Sequence, residues 1–458
     1  MRLVSTTTGR LAYVVSFILI SFQLTAQVNS PFSRYGIGNM IGSQHVISRS
    51  MGGLQAAYAD GMTNNVGQSV NFNNPASYNS FYMVSYDLAL LLDSRSLKSN
   101  TPTGKFSSVY LIPSYVAIGM PLNKSKRLGL AFGLRPVSRI NYNVITRERV
   151  AGDTMGTSYE GSGGVNQAFV GIGKKWKNLS IGFNTGYTFG KKEISTKKTF
   201  LNDTVTYYQS NTSSLTNFGN AFAQIGVQYE FSVGKKENKA TKSTENYLIR
   251  LGATASLKQN LNATQNLTRE TFTVGSSGNY IAIDSIEKTN DVKGKVVLPA
   301  SYDAGIMFRK TVASNSGLFE LWSVGLEYST TQWNAYRFYD NPDASLNNSW
   351  SIKLGTQFSP NPQAIRSYLS NVNYRFGINI GKDYINADGN GLKHAAISFG
   401  AGFPIRKWRA YETQFTVVQT GIQLGKRGSS INNVTESYLQ LSLGFSLTDN
   451  WFIKRRYD

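Results

Sequence analysis

The sequence predicts an all-β fold: a transmembrane antiparallel β-barrel of about fourteen strands, with an N-terminal plug, or hatch, inside its lumen. Three observations carry that expectation. The chain opens with an export signal. From Phe81 onward it shows long two-residue alternation of apolar with small polar residues. Between the two lies Ser48–Ser80, rich in Gly, Asn, Ser and Ala and poor in branched apolar residues.

The N-terminus sets the compartment. Arg2 and Arg10 flank a polar start, Leu11–Leu24 is mostly apolar, and Leu24-Thr25-Ala26 ends on a small residue. This pattern predicts a signal peptide over residues 1–26, cleaved before Gln27. The apolar run is short for a membrane anchor. The export signal argues against a cytoplasmic nucleic-acid-binding protein.

Composition narrows the class. The chain has 458 residues, no cysteine, 43 glycines, 26 tyrosines and 25 phenylalanines. Without cysteine there is no disulfide framework, thiolate metal site or cysteine nucleophile. A mean hydropathy of −0.26 excludes a helical membrane protein but not a barrel, whose wall is apolar on one side only. The formal charge is +21. Its cationic residues fall near predicted strand ends: Lys124, Lys126, Arg127, Lys174, Lys175, Lys177, Arg406, Lys407 and Arg409 in one set, Lys191, Lys192, Lys426 and Arg427 in another. Trp176, Trp333 and Trp408 lie near strand ends too. Basic rims and interfacial aromatics fit contact with lipid headgroups and lipopolysaccharide. A nucleic-acid groove needs aromatics interleaved on one contiguous basic face, so no nucleic-acid partner is expected.

The elements follow in order. Residues 27–47 form an irregular lead-in, and together with Ser48–Ser80 make a plug region over 27–80. Amide and small residues suit a polar cavity, where backbone groups need partners. The barrel is expected over 81–450, with strands near 81–98, 106–121, 128–150, 165–175, 179–199, 215–233, 247–270, 297–311, 317–339, 348–359, 372–382, 392–405, 412–427 and 437–447. Leu439, Leu441, Leu443 and Phe445, alternating with Gln440, Ser442 and Gly444, illustrate the period of two. The strands are longer than those of soluble sheets, and their polar face is small and amide-rich rather than charged. Lys235–Asn246 reads as a solvated turn, and 271–296 as a long outer loop with room for a further hairpin. Trp451–Asp458 forms a basic aromatic tail, 451–458, beyond the last strand.

Ser48-Arg49-Ser50-Met51-Gly52-Gly53, followed by Asn73-Asn74-Pro75-Ala76 and a long strand, resembles the FadL/OmpP1 family of channels for long-chain fatty acids and other hydrophobic compounds, most closely its Bacteroidetes branch. The match covers roughly residues 48–150. The resemblance implies a hatch gated by Met51, Gly52, Gly53, Asn74, Pro75 and Ala76. It also implies a lateral exit into the bilayer at a kinked third strand. Pro113, Gly133 and Pro136 are the candidates, since proline cannot donate to a ladder and belongs at interruptions. Arg135 or Arg139 would then meet the carboxylate head of a hydrophobic ligand. A second role stays open: an accessory barrel in a larger outer-membrane machine for secretion or barrel assembly, with an outer-membrane or periplasmic protein partner.

No enzyme, metal or cofactor is expected. His45 and His394 are isolated and lack cysteine partners. No nucleophile motif accompanies His394. Gly171-Ile172-Gly173-Lys174-Lys175 lacks the spacing and the Ser/Thr of a phosphate loop.

Overall fold

The computed structural model describes residues 30–42, 44–60, 68–100, 103–150, 153–201, 208–238, 243–275, 280–315, 317–362, 364, 367–387, 389–405, 415–429 and 431–449. The expected signal peptide, residues Arg406, Lys407, Trp408 and Arg409, and the C-terminal tail lie outside them.

Fourteen antiparallel strands close into a barrel. They are β1 (Val84–Asn100), β2 (Thr103–Asn123), β3 (Leu128–Val150), β4 (Asp153–Trp176), β5 (Leu179–Leu201), β6 (Gln209–Asn238), β7 (Ser243–Ser256), β8 (Ser301–Ser314), β9 (Gly317–Thr331), β10 (Ser349–Phe358), β11 (Asn373–Ala387), β12 (Asn390–Ile405), β13 (Phe415–Arg427) and β14 (Val434–Asp449). Closure comes from β14 pairing with β1, with Leu443 opposite Leu90 and Leu441 opposite Leu92. The burial pattern is inside out. Leu88, Leu90, Phe399, Ile422 and Leu441 are exposed, whereas Asp87, Ser398 and Gln440 are buried. A closed sheet with an apolar outer face and a polar inner face is an outer-membrane barrel, because every backbone pair is satisfied and lipid meets only apolar side chains.

Three expectations change. The segment 247–270 is not one strand. After β7 the chain bends into a hairpin, Gln259–Val274 with Tyr280–Leu298. β6 has 30 residues and is too long for β7 alone. Its lower half pairs with β7 and its upper half, from Gln209 to Gly219, pairs with Gln259–Val274. Lys235–Asn246 is mostly ladder rather than turn, since Lys235 pairs with Asn246 and Glu237 with Thr244. Trp333 is not an interfacial residue. It is 4% exposed and stacks on Tyr384 at 4.6 Å.

Trp333 belongs to an apolar core that fills the outer mouth. Phe32 and Ile37 of the lead-in pack there with Phe218 of the wall, Leu261 and Leu298 of the hairpin, and Leu346 of the loop after β9. Residues 44–60 and 68–80 lie further down inside the barrel. The short helix Val46–Ser50 touches β11 to β14, while the 3-10 helix Pro75–Ser80 touches β2 to β6 on the opposite side.

Candidate functional site

His45 caps the helix Val46–Ser50. Its Nδ1 accepts from the Ile47 N–H at 3.1 Å. Nε2 therefore carries the proton and donates to Asp87 Oδ2 at 2.6 Å. The helix ends through Gly52 (φ +69°) and Gly53 (φ +93°), a left-handed pair that side chains resist. The Gly53 N–H returns to the Ser48 carbonyl at 2.7 Å, and the Gly52 N–H donates to Ser398 Oγ of the wall at 2.9 Å. Met51 is fully buried against Ile47, Leu54 and the wall residue Met307.

Asn74-Pro75-Ala76 has a local reason. Asn74 is the cap of the 3-10 helix, its Oδ1 accepting from the Ala76 N–H at 3.0 Å. Pro75 fills the first helical position, where its missing N–H costs nothing. Asn74 Nδ2 also donates to the Ala56 carbonyl at 2.5 Å, tying the two halves of the plug together.

Wall side chains then hold the plug by its backbone. Asn184 donates to the Phe72 carbonyl at 3.0 Å and Gln224 to that of Asn73 at 2.8 Å. Gln228 donates to the carbonyls of Ala56 at 2.9 Å and Tyr58 at 3.1 Å. Arg250 reaches the Ala59 carbonyl at 2.8 Å. In the other direction, Glu327 Oε2 accepts from the N–H groups of Gln55 and Ala56, both at 2.7 Å. Within the plug, Asp60 accepts from Ser69 Oγ at 2.6 Å and Tyr58 OH at 2.8 Å. Burial pushes its carboxyl above the ordinary range, and those hydrogen bonds oppose the rise.

Between these anchors the plug backbone lies directly on wall glycines. Gly129, Gly173, Gly182 and Gly226 sit side by side across β3 to β6. A Cβ there would strike, in turn, the Tyr78 carbonyl, the Pro75 carbonyl, the Pro75–Ala76 peptide and Asn74 Oδ1. On the far side, Gly355 and Gly377 press on Met51 and Gly52 in the same way.

The lumen is more charged than its sequence pattern predicts. Asp93, Arg95, Glu436, Arg427 and Asp383 form one chain of ion pairs, and Glu327 pairs with Lys353 at 2.8 Å. These residues hide at single positions in otherwise small-residue strands, so the strand average misses them.

The wall is incomplete at one place. β2 and β3 pair only from Val116–Leu134 down to Asn123–Leu128. Pro113, exposed on the outer face, and Pro136, at a register shift against β4, lie just above the last pair. Gly133 lies beside that pair, and a Cβ there would strike the Val116 carbonyl. Higher up, the lead-in takes the vacant edge of β3: Asn39 pairs with Arg139, the Ile41 N–H bonds the Val137 carbonyl at 3.1 Å, and Ser138 Oγ donates to the Ile37 carbonyl at 2.6 Å. A cavity of about 850 Å³ opens here between Ile41, Ile112, Pro136, Arg139 and Phe189. The two candidate head-group arginines part company. Arg139 lines this cavity, its guanidinium over the Tyr110 ring at 5.2 Å. Arg135 points into the plug, bonded to Asn73 and to Gln167 and packed on the Phe72 ring.

His394 stands apart from His45, facing Asn379 Oδ1 at 3.2 Å. Sequence reasoning singled out the Met51–Gly53 and Asn74–Ala76 motifs but missed their seat on the wall. The signal was present: Gly226, Gly252 and Gly325 occupy the polar face of alternating strands, where a filled lumen needs backbone contact.

A family model described as BamG matches residues 10–458. No curated protein sequence matches. Three solved outer-membrane barrels are similar in fold. A Pseudomonas aeruginosa FadL homologue is 11% identical, with a TM-score of 0.54 over 90% of this chain and 99% of that one. The P. putida toluene transporter TodX is 14% identical, with 0.53 over 89% and 98%. The Ralstonia pickettii toluene transporter TbuX is 12% identical, with 0.51 over 89% and 98%. At such identities the likeness is one of architecture.

Proposed function

This chain belongs to the BamG family, and from that premise we propose that it works as a sealed barrel, a structural subunit of a larger outer-membrane machine for barrel assembly or secretion. The resemblance of its motifs to FadL channels is carried by the fold and the plug, while the family is BamG. One observation carries the proposal: the described plug residues are seated tightly against the wall on opposite sides of the lumen. Plug backbone rests on wall glycines on opposite sides, carboxylates and amides of the wall bond its peptide groups, and an apolar core closes the outer mouth. A passage along the axis would require many buried polar groups to lose their partners at once, each at about 1–3 kcal/mol.

Native mass analysis after gentle-detergent extraction tests this. The barrel is expected to run with protein partners; a barrel that always runs alone sinks the proposal. Fixing the plug gives a second test. The chain has no cysteine, so Ser50→Cys with Gly421→Cys creates a single pair. A Cβ at Gly421 would lie 2.7 Å from Ser50 Oγ, close to the Cβ–Sγ reach of a disulfide, which is about 3 Å. The oxidised barrel is expected to keep full function in cells, because the plug does not move. Loss of function that a reductant restores would mean a moving hatch.

The open seam favours a second reading, transport of a hydrophobic compound sideways through the wall. Pro113 and Pro136 end the pairing of β2 with β3, and the cavity beside them would hold a small apolar ligand with Arg139 near its head. Uptake or binding of long-chain fatty acids and monoaromatics by the purified barrel is the measurement. No binding across such a panel would remove this reading and leave the first.

A further inference from the structure

The periplasmic end of the barrel, where the short turns lie, holds a cavity of about 760 Å³, the size of an ordinary ligand cleft. Lys126 and Arg127 of the β2–β3 turn line its rim, with Lys174, Lys175 and Lys177 at the β4–β5 turn. Arg250 and Arg309 form its inner side, and Ala59, Asn79 and Ser80 of the plug form its floor. Glu230 is the one carboxylate among the lining residues, and it is already shared between Lys175, Arg250 and Arg309. Four further cations, Lys126, Arg127, Lys174 and Lys177, leave the recess positive. Arg309 is only 5% exposed, and its Nε has no hydrogen-bond partner among the described residues. Two rim bases also occupy left-handed backbone, Arg127 at φ +46° and Lys177 at φ +50°. Turns normally give such positions to Gly, Asn or Asp; here they carry cations into the rim.

We propose that this recess binds an acidic peptide segment, rich in Asp and Glu, presented from the periplasm by a protein partner of the barrel. The inference rests on the reading of the barrel as an assembly subunit and names the chemistry of one contact. Guanidinium groups at a recessed site match carboxylates bidentately, and surrounding lysines add attraction at longer range. The site lies inside the ring of strand ends, floored by the plug. A lipid headgroup instead meets the outer face of the wall, where Ile172 and Ile181 are exposed.

The experiment uses the full-length barrel in zwitterionic detergent and a fluorescent decapeptide of alternating Glu and Ser, read by anisotropy. Binding is expected to weaken at least tenfold between 50 and 300 mM salt, as exposed charge pairing does. Arg127→Gln with Lys177→Gln is expected to weaken it about tenfold; both substitutions change only side chains at turn positions and leave the backbone bonds, such as that from the Lys175 N–H to the Arg127 carbonyl, in place. Lys98→Gln with Lys105→Gln, at the opposite end of β1 and β2, is expected to change nothing. Three results overturn the proposal: equal binding of a decapeptide with Gln for Glu, no effect of the rim pair, or displacement of the peptide by glycerophosphoglycerol at concentrations below those of free peptide, which assigns the recess to a lipid headgroup. Failure here is separate from failure of the subunit reading. A barrel that runs with partners yet ignores the peptide loses only this contact. A barrel that runs alone yet binds the peptide keeps the site and loses the assembly role.

Discussion

Replacing Gly182 by valine is expected to unseat the plug and to lower the stability of the barrel by about 3 kcal/mol, the upper end of what overpacking costs. The new side chain would enter the space of the Pro75 carbonyl carbon and the Ala76 nitrogen. Neither can retreat easily. The Pro75–Ser80 helix is capped by Asn74, and on either side of Gly182 the neighbouring Gly173 and Gly226 meet Pro75 and Asn74 at the same close range. Backbone gives way less than the end of a flexible side chain does. Thermal unfolding in detergent and limited proteolysis of residues 30–80 are the measurements. A lowered midpoint with new cleavage in the plug is the expected result. Gly156→Ala is the matched control, since its nearest atom beyond the local chain is the Thr199 carbonyl oxygen at 3.7 Å. If Gly182→Val kept the wild-type midpoint and a protected plug, the tight seat would be a wrong description of the lumen.

That seat explains what the sequence reveals and what it conceals. Period-two alternation over long runs makes the wall legible, because lipid and lumen impose opposite demands on successive residues. Fourteen strands follow from it, since each strand carries its own alternation. The branching of β6 does not. The expected strand 215–233, observed as Gln209–Asn238, reads the same whether its upper half pairs with β7 or with a separate hairpin, and nothing local to β6 distinguishes the partners. The loops above the membrane shrink for a related reason: β3 continues to Val150 and β4 resumes at Asp153, because paired polar strands need no lipid to persist. The plug motifs are legible as residue types. Asn74, Pro75 and Ala76 carry their own capping logic. Their anchors on the wall are not legible, because Glu327 and Gln224 are separated from them by well over a hundred residues, and only closure of the barrel brings them together. The buried ion pairs fall in the same class. Asp93 pairs with Arg95 two residues away, but its further link to Glu436 through that arginine depends on β14 meeting β1.

Glu327→Ala is expected to cost about 3–5 kcal/mol, the range for breaking a buried ion pair by removing one partner. Glu327 is 1% exposed and Lys353 4%. The substitution strands the Lys353 ammonium, which sits 2.8 Å from Glu327 Oε1. It also strands the N–H groups of Gln55 and Ala56, which share the other oxygen. Both losses fall at the point where the first half of the plug meets β9. Protease sensitivity should therefore appear around residues 50–60 before the barrel itself unfolds. Adding Lys353→Met separates the two costs. The double variant no longer buries an unpaired charge, so it is expected to be more stable than Glu327→Ala alone, a non-additivity that contacting residues show. It should still fall below wild type, because the two plug N–H groups remain without an acceptor, at about 1–3 kcal/mol each. A double variant no better than the single would mean that Lys353 relaxes to water when its partner leaves. A single variant as stable as wild type, with the plug still protected, would mean that Glu327 does not hold the plug, and the fixed seal proposed for this barrel would lose its strongest polar anchor.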